Sequence, residues 1–227
     1  NRLKELVIPE GVVSIGKGAF KGNGLTEVKI PKSLSVISTS VFEENSLTEV
    51  VIPEGVESIG INSFRSNYIE KLTIPSSVKS IYASAFEENR LKEVYIPEGV
   101  TSIDSWAFAS NKIEKLHLPE SLEGINALAF TDNRLTSVTI PDNVNHIGKN
   151  AFSYSVSLTY KGREVKMIDG LAAIVYSKRR LGDSTVYLCD DFNGRGSYYI
   201  VTEGNYSAHG VTINKALQDL DFKQRRV

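Results

Sequence analysis

The residues of this chain that could support chemistry are few and widely separated. There are 3 histidines and 1 cysteine, so a nucleophile paired with a base, an intramolecular disulfide and a cysteine-based zinc site have almost no candidates. Cys189 stands in an apolar run, where a lone cysteine is most often a small core residue. No nucleophile or orienting partner can be identified for His117. We therefore predict no catalytic residue, no metal site, no cofactor and no enzymatic activity.

Two short motifs in the C-terminal part could bind ions. Asp190, Asp191 and Asn193 beside Gly194 suggest a calcium loop, but the EF-hand spacing puts Cys189 at the first ligand position. The run Lys178-Arg179-Arg180 is a short basic turn, for which a solvated hairpin tip is a commoner explanation than a phosphate site. Neither motif justifies assigning a ligand. The acidic and basic residues here form no recognisable acid–base pair.

An internal repeat dominates the rest of the sequence. Seven consecutive units of 22 residues read approximately x-L-x-x-L-x-I-P-x-x-V-x-x-I-x-x-x-A-F-x-x-N. They begin at Arg2, Gly24, Ser46, Tyr68, Arg90, Lys112 and Arg134. All 7 prolines occupy position 8 of the unit, and seven of the 9 phenylalanines occupy position 19. Position 14 is isoleucine in every unit. Such a period predicts a solenoid.

The spacing within one unit predicts how the chain coils. Core-type residues at positions 5 and 7 are two apart, which is the period of a half-buried strand, and the proline at position 8 ends that strand. The V-x-x-I and A-F pairs supply further inward side chains, so stacked units bury a continuous core. We predict a repeat solenoid with a parallel β-sheet on its concave face and an irregular convex side. Position 22, asparagine in six units, is expected to bind backbone groups at a bend.

Regularity ends after Phe152, and a small α+β unit follows. We predict a solenoid over residues 1–168, with repeats at 2–155 and a cap after them, and a C-terminal module over residues 169–227. Predicted elements are an eighth strand at Leu158–Tyr160, a cap at Val165–Ile168, strands at Leu171–Tyr176, Thr185–Cys189 and Tyr198–Val201, and a helix N-capped by Thr212. Ala208-His209-Gly210-Val211 is read as the lead into that helix.

The repeat unit resembles the BspA-like (Treponema pallidum-type) leucine-rich repeats. The motif that carries the resemblance is L-x-E-V-x-I-P-x-x-V-x-x-I closed by a phenylalanine, as in Leu47 to Phe64 and Leu91 to Phe108. The resemblance covers about two-thirds of the chain and does not extend to the C-terminal module. It implies a bacterial surface-associated or secreted protein, similar to adhesins, that binds host matrix proteins, host cells or other microbes. Such a protein is expected to be extracellular or at the cell surface.

Composition narrows the range of partners. The net charge is −1, which gives no overall basic field for nucleic acid. No apolar run approaches the roughly 20 residues that a membrane span needs. The charge is unevenly distributed: residues 156–227 hold 11 Lys and Arg against 8 Asp and Glu, which leaves 15 against 19 for residues 1–155. We expect a protein ligand, and the sequence leaves the oligomeric state open.

Outward-facing strand residues at positions 4 and 6 form the predicted ligand surface. The core columns barely vary, whereas position 6 changes between every pair of neighbouring units. The most promising part of this surface comprises Lys71, Thr73, Glu93, Tyr95, Lys115 and His117. Tyrosine offers a large amphipathic area with few rotatable bonds, which suits an interface. The alternative is a solvated sheet face with cross-strand charge pairs.

A second candidate surface lies on one flank. Position 17 is small or polar in five units, but it is Trp106 and Leu128 in two adjacent ones. Ile61 and Tyr82 lie at positions 16 and 15 of the two preceding units. Large apolar residues where sister repeats are polar indicate either an exposed contact patch or local packing under the turn, including an oligomer contact.

These observations favour a non-catalytic binding module that uses its concave sheet. The alternative is a structural spacer, or an intracellular or phage-borne scaffold, in which the C-terminal module makes the specific contact. Asn1 fits position 22 of a preceding unit, so upstream repeats or an N-terminal cap are expected beyond this sequence. The end at Lys223–Val227 shows no cell-wall sorting motif, so the mode of anchoring stays open.

Overall fold

The structure, a computed structural model, describes residues 3–225, so the expectations about Asn1 and the last two residues fall outside the described part. The solenoid strands are β1 Glu5–Val7, β2 Glu27–Lys29, β3 Val36–Ile37, β4 Glu49–Val51, β5 Ser58–Ile59, β6 Lys71–Thr73, β7 Ser80–Ile81, β8 Glu93–Tyr95, β9 Ser102–Ile103, β10 Lys115–His117, β11 Gly124–Ile125, β12 Ser137–Ile140 and β13 His146–Ile147. The C-terminal elements are β14 Ser157–Tyr160, β15 Arg163–Ile168, β16 Leu171–Leu181, β17 Ser184–Asp191, β18 Ser197–Glu203, β19 Tyr206–Gly210 and α1 Ile213–Gln224.

Each repeat contributes one short strand just before its proline, as predicted. Parallel pairing joins β1 to β2, β4 to β6 and β8 to β10, with identical repeat positions opposite one another, and joins β12 to β14, where the partners are 20 residues apart. In these strands the position-5 side chain points inward, while positions 4 and 6 are exposed. The alternation follows from the two-residue period of a strand with one buried face. We call the outward residues at positions 4 and 6 the sheet face.

A second parallel ladder runs along the repeats at positions 13 and 14. Its order is β3, β5, β7, β9, β11, β13, and each strand has two residues, the second of which is the buried isoleucine of position 14. The sequence predicts these isoleucines as inward residues but gives no sign that their backbone pairs. Turns make up the remainder of the convex side, as expected.

The core is a set of continuous side-chain columns. Neighbouring rings of the phenylalanine column stack with centroids 5.3–5.9 Å apart along the whole run from Phe20 to Phe152. Strands of a sheet are about 4.8 Å apart, so the ring centroids are more widely spaced than the strands of the opposite sheet. The sheet therefore lies on the concave face, as predicted.

The C-terminal strands continue the solenoid sheet instead of starting a separate one. Strand β14 pairs in parallel with β12, and β15, β16, β17, β18 and β19 follow as an antiparallel meander. The eighth strand and the helix are confirmed: the Thr212 side chain caps α1 by accepting a hydrogen bond from the Lys215 amide. Residues 208–210 lead into the helix as predicted, but they do so as part of a strand that was not predicted, β19. Their small and polar residues carry little hydrophobic alternation, so the strand is held by pairing with β18.

The boundary proposed at residue 168 falls in the turn between the paired strands β15 and β16. Contacts with the solenoid also come from the turn after β17. Phe192 packs in the solenoid core against Tyr160, with ring centroids 4.7 Å apart. The Asn193 side chain accepts a hydrogen bond from the Ile147 amide at 3.0 Å and donates one to the Ile147 carbonyl at 3.1 Å. This turn therefore closes the open end of the second ladder, together with the predicted cap residues Val165 and Met167 in the core.

Candidate functional site

The six residues predicted for the sheet face lie on three neighbouring strands, and all six are exposed. Strands β8 and β10 pair so that Lys115 lies opposite Glu93 and His117 lies opposite Tyr95. Lys71 and Thr73 stand on the preceding rung, β6. The parallel register thus brings residues that are 22 positions apart in sequence side by side.

Tyr95 and His117 are the most prominent side chains of the sheet face. Tyr95 is 64% exposed although its ring is large, and its centroid lies 5.9 Å from that of His117 at a tilt of 38°. Nε2 of His117 lies 3.4 Å from Oε1 of Glu93. The pair presents two rings with an adjacent carboxylate to solvent. Such an arrangement can pack against an apolar group of a partner and accept a hydrogen bond beside it.

The charges around this pair are only weakly compensated. Nζ of Lys71 lies 3.9 Å from Oε2 of Glu49, and both side chains are well exposed. Exposed pairs of this kind contribute only about 0–1 kcal/mol to stability. The lysines therefore remain available to a partner, and the sheet face offers both signs of charge around an aromatic centre.

Within residues 3–225, no group of three or more His, Cys, Asp and Glu side chains could hold a metal ion. Two residues of the calcium-loop motif serve the fold instead: Asp191 accepts a hydrogen bond from the Asn193 amide, and the Asn193 side chain binds Ile147. Cys189 is fully buried in the C-terminal sheet, as predicted, and desolvation raises the pKa of its thiol to about 12. A thiol with such a pKa is a poor nucleophile near neutral pH.

The second predicted surface, which we call the turn flank, comprises Ile61, Tyr82, Trp106 and Leu128. The first three side chains are 42–45% exposed, and Leu128 is half-buried. All four residues lie in the turns that precede the phenylalanine column, where successive turns are joined by hydrogen bonds such as Trp106 amide to Ala127 carbonyl, 3.1 Å. The flank is therefore a stacked surface of large, accessible side chains.

A backbone feature of the turn flank could not be read directly from the sequence. Position 17 has a left-handed backbone in every unit, with φ between 54° and 64°. Glycine, serine and asparagine occupy it in five units, and asparagine and glycine tolerate this conformation. Trp106 and Leu128 adopt it at φ 59° and 62° despite their bulk. The signal that could have revealed it is the small or polar character of the other five residues.

The basic run Lys178-Arg179-Arg180 lies in a strand and not in a turn. It belongs to β16, and the hairpin turn itself is Gly182-Asp183 between the paired residues Leu181 and Ser184. The prediction of a basic turn is therefore wrong in position, because β16 extends five residues past the predicted end at Tyr176. Polar residues can continue a strand whose neighbour supplies the hydrogen bonds.

Comparison with known proteins agrees with the repeat geometry. The family model described as "BspA type Leucine rich repeat region" matches residues 1–112 and 35–159, with 6 copies. The chain belongs to the BspA-type leucine-rich repeat family. The resemblance seen in the motif Leu47 to Phe64 is thereby confirmed. No curated protein matches the chain.

Two solved bacterial structures are similar to this BspA-type chain. A leucine rich cell surface protein from Faecalibacterium prausnitzii is 26% identical with a TM-score of 0.60, covering 78% of this chain and 52% of its own. A leucine-rich repeat protein from Bacteroides ovatus is 24% identical with a TM-score of 0.52, covering 69% of this chain and 59% of its own, and it supports the fold alone. The BspA-type chain thus spans between half and three-fifths of these proteins. No helix among its described residues is long and apolar enough to cross a bilayer.

Proposed function

We propose that this chain is a non-catalytic, adhesin-like binding module of a bacterial surface-associated or secreted protein, and that it binds a protein partner on its sheet face. The observation that carries the proposal is the exposed Tyr95–His117 pair on an otherwise regular scaffold. Repeat scaffolds bind with preformed concave surfaces, which lose little conformational entropy on association. A host matrix or cell-surface protein is the class of partner that the family resemblance implies.

The cell-surface setting is supported by similarity to the Faecalibacterium prausnitzii protein, which is described as a leucine rich cell surface protein. The chain covers 52% of that protein, so its location and partners are transferred here only as part of the proposal. The turn flank is a second proposed contact on the same molecule.

The proposal is tested by replacing the two rings of the sheet face. A biosensor surface coated with basement-membrane matrix extract is probed with the chain and with a Tyr95→Ser, His117→Ser variant. We expect at least tenfold weaker binding with unchanged thermal stability, because both side chains are exposed and central hot-spot residues dominate interfaces. Tyr154→Ser is the matched control, since Tyr154 is 67% exposed away from the sheet face.

A second candidate function is a structural spacer or intracellular scaffold in which the C-terminal sheet makes the specific contact. The observation that favours it is the firm attachment of that sheet to the last repeat through Phe192 and Asn193. If matrix binding survives loss of both rings of the sheet face but is lost when the C-terminal sheet surface is altered, this second function replaces the first.

A further inference from the structure

The C-terminal sheet carries a cluster of positive charge that the sheet face does not use. Lys178, Arg179 and Arg180 are consecutive exposed residues of β16. The ion pairs formed among residues 3–225 leave all three without an acidic partner. Three uncompensated cations in a row repel one another, so the fold maintains a local positive potential that a bound anion would relieve.

Strand register places two of these cations beside an aromatic ring. Lys178 lies opposite Tyr187 and Arg180 lies opposite Thr185, so both cations share the face of Tyr187. Arg179 lies opposite Val186, on the other face of the hairpin. Lys178, Arg180, Thr185 and Tyr187 line an open cleft of about 480 Å³, to whose rim Arg179 also contributes. We call Lys178, Arg179, Arg180 and Tyr187 the basic hairpin.

The uncompensated positive charge of the basic hairpin lies near the turn between β16 and β17, away from β15. Lys166 also approaches Tyr187, with Nζ 5.0 Å from the ring centroid, but Oε1 of Glu164 lies 3.0 Å from the same Nζ. Pairing between β15 and β16 ends at Ile174, so the basic residues lie on a part of β16 that pairs only with β17. The cations therefore lie along an open strand edge that a long, narrow ligand can approach.

We propose that the basic hairpin binds an anionic glycan, meaning a sugar chain that carries sulfate or carboxylate groups. Guanidinium and ammonium groups spaced along a strand, about 3.3 Å per residue, match charges repeated along a chain better than one compact anion. Tyr187 is partly buried beside these cations, and the exposed part of its side chain can contact a sugar residue. The preference for glycan over nucleic acid rests on the proposed cell-surface function.

The overall charge argues for local recognition and not for general attraction. The chain has a net charge of −1, with the acidic excess in residues 1–155. A short glycan segment that binds the basic hairpin makes few contacts with the acidic repeats, whose charges are screened beyond about 10 Å. The basic hairpin can therefore be tested separately from bulk charge.

Isothermal titration of the full chain with a heparin-derived octasaccharide tests the proposal. We expect binding that is at least tenfold weaker in a Lys178→Gln, Arg180→Gln variant, because two of the proposed charge contacts are lost while a polar side chain is kept at each position. The control Lys32→Gln, Lys79→Gln removes the same charge from two exposed repeat residues and is expected to bind as the parent does. Binding should weaken between 50 and 300 mM salt, because exposed charge contacts are screened. Tyr187→Leu should weaken it severalfold.

Several results would overturn the proposal. The first is that the chain does not bind the octasaccharide. The second is that the hairpin and control variants lose octasaccharide affinity equally. The third is that a single-stranded oligothymidylate binds more tightly than the octasaccharide. Self-association of the hairpin variant with unchanged glycan affinity would show instead that the cations only protect an open strand edge. The Tyr95→Ser, His117→Ser variant keeps the basic hairpin and should bind the octasaccharide normally, so failure of one proposal does not imply failure of the other.

Discussion

Position 17 has one backbone conformation in all seven repeats, although its residues are of five different types. A left-handed backbone costs an ordinary L-residue about 1–2 kcal/mol, and glycine and asparagine tolerate it much better. The exposed Trp106 and the half-buried Leu128 therefore have strained backbones. Strain of this kind persists where surrounding structure enforces it and is enriched at functional sites. Here the surrounding structure is the stack of turns, since the same backbone recurs in every repeat.

The strain can be measured at Leu128. Because asparagine tolerates φ 62°, Leu128→Asn is expected to raise the free energy of unfolding by about 1 kcal/mol. The reciprocal change, Asn62→Leu at φ 55°, should lower it by a similar amount. Urea denaturation followed by tryptophan fluorescence measures both. A loss of stability in Leu128→Asn would mean that packing of the leucine outweighs the strain, and the turn flank would then be part of the core.

At the scale of single elements, the asparagine at position 22 joins neighbouring repeats. The Asn89 side chain accepts a hydrogen bond from the Ile69 amide at 3.0 Å and donates one to the Phe64 carbonyl of the preceding repeat at 2.9 Å. It also donates to the carbonyls of Phe86 and Glu87. The same set recurs around Asn45, Asn67, Asn111 and Asn133. One buried side-chain amide thus forms hydrogen bonds with backbone groups of two neighbouring repeats.

Removal of this amide has a predictable cost. Asn89→Ala leaves a buried amide and several carbonyls without partners, so we expect a loss of about 2–4 kcal/mol in the free energy of unfolding. Asn143→Ala is the control, because Asn143 is exposed and, among residues 3–225, its side chain donates to the Glu120 carbonyl alone, at 2.7 Å. Its expected cost is below about 1 kcal/mol. Chemical denaturation compares the two variants. Equal costs would show that water replaces the buried bonds.

At position 10, a glycine in one repeat is hydrogen-bonded to a serine in the next repeat. Glycine occupies it in three alternate repeats, including Gly55, and serine in the repeats that follow them, including Ser77. The Ser77 hydroxyl accepts a hydrogen bond from the Gly55 amide at 3.1 Å and donates one to the Val56 carbonyl at 2.8 Å. Gly55 has φ 101°, and a side chain there would approach the Lys32 carbonyl at 3.2 Å. The repeats in this region are therefore not interchangeable, and the two-repeat pair is the better unit for design.

At the scale of the whole molecule, the solenoid and the C-terminal sheet share hydrogen bonds and core. Strands β12 and β14 belong to one seven-stranded sheet with β15 to β19, and Phe192 belongs to the solenoid core. A division of the chain into separately folding parts at residue 168 would break the pairing of β15 with β16 and remove Phe192 and Asn193 from the end of the repeats. We therefore expect the two parts to unfold together.

Two residues report on the two parts. Trp106, the single tryptophan, lies in the fifth repeat, and Cys189, the single cysteine, is buried in the C-terminal sheet. Urea transitions followed by tryptophan fluorescence and by thiol labelling should coincide at pH 8, where the buried thiol of pKa about 12 reacts only after unfolding. Asn193→Ala should separate them, with the thiol exposed first. Separate transitions in the parent chain would favour two independent domains.

The same thiol makes stability depend on pH. Burial raises the pKa of Cys189 from 9.0 to about 12, so between those values the unfolded state releases a proton that the folded state retains. Stability contributed by this group is present below pH 9 and falls as pH rises toward 12.

The sequence alone determined the repeat, its columns and the alternation of the strands. The 22-residue period, which occurs seven times, determines which residues share a column. The two-residue period of a strand determines which of them point inward. It also predicted Thr212 as a helix cap, because that signal is local. The six residues of the sheet face could be named from position in the unit, although their role as a binding site stays a prediction.

Tertiary structure decided what depends on contacts between distant residues. The pairing of β19, the strand register that places Lys178 and Arg180 beside Tyr187, and the closure of the last repeat by Phe192 and Asn193 arise from segments far apart in sequence. The left-handed backbone at position 17 is likewise fixed by stacking of successive turns, to which the side chains of Trp106 and Leu128 must adapt. A repeat period specifies columns, whereas the non-repetitive end of the chain is specified only by its three-dimensional packing.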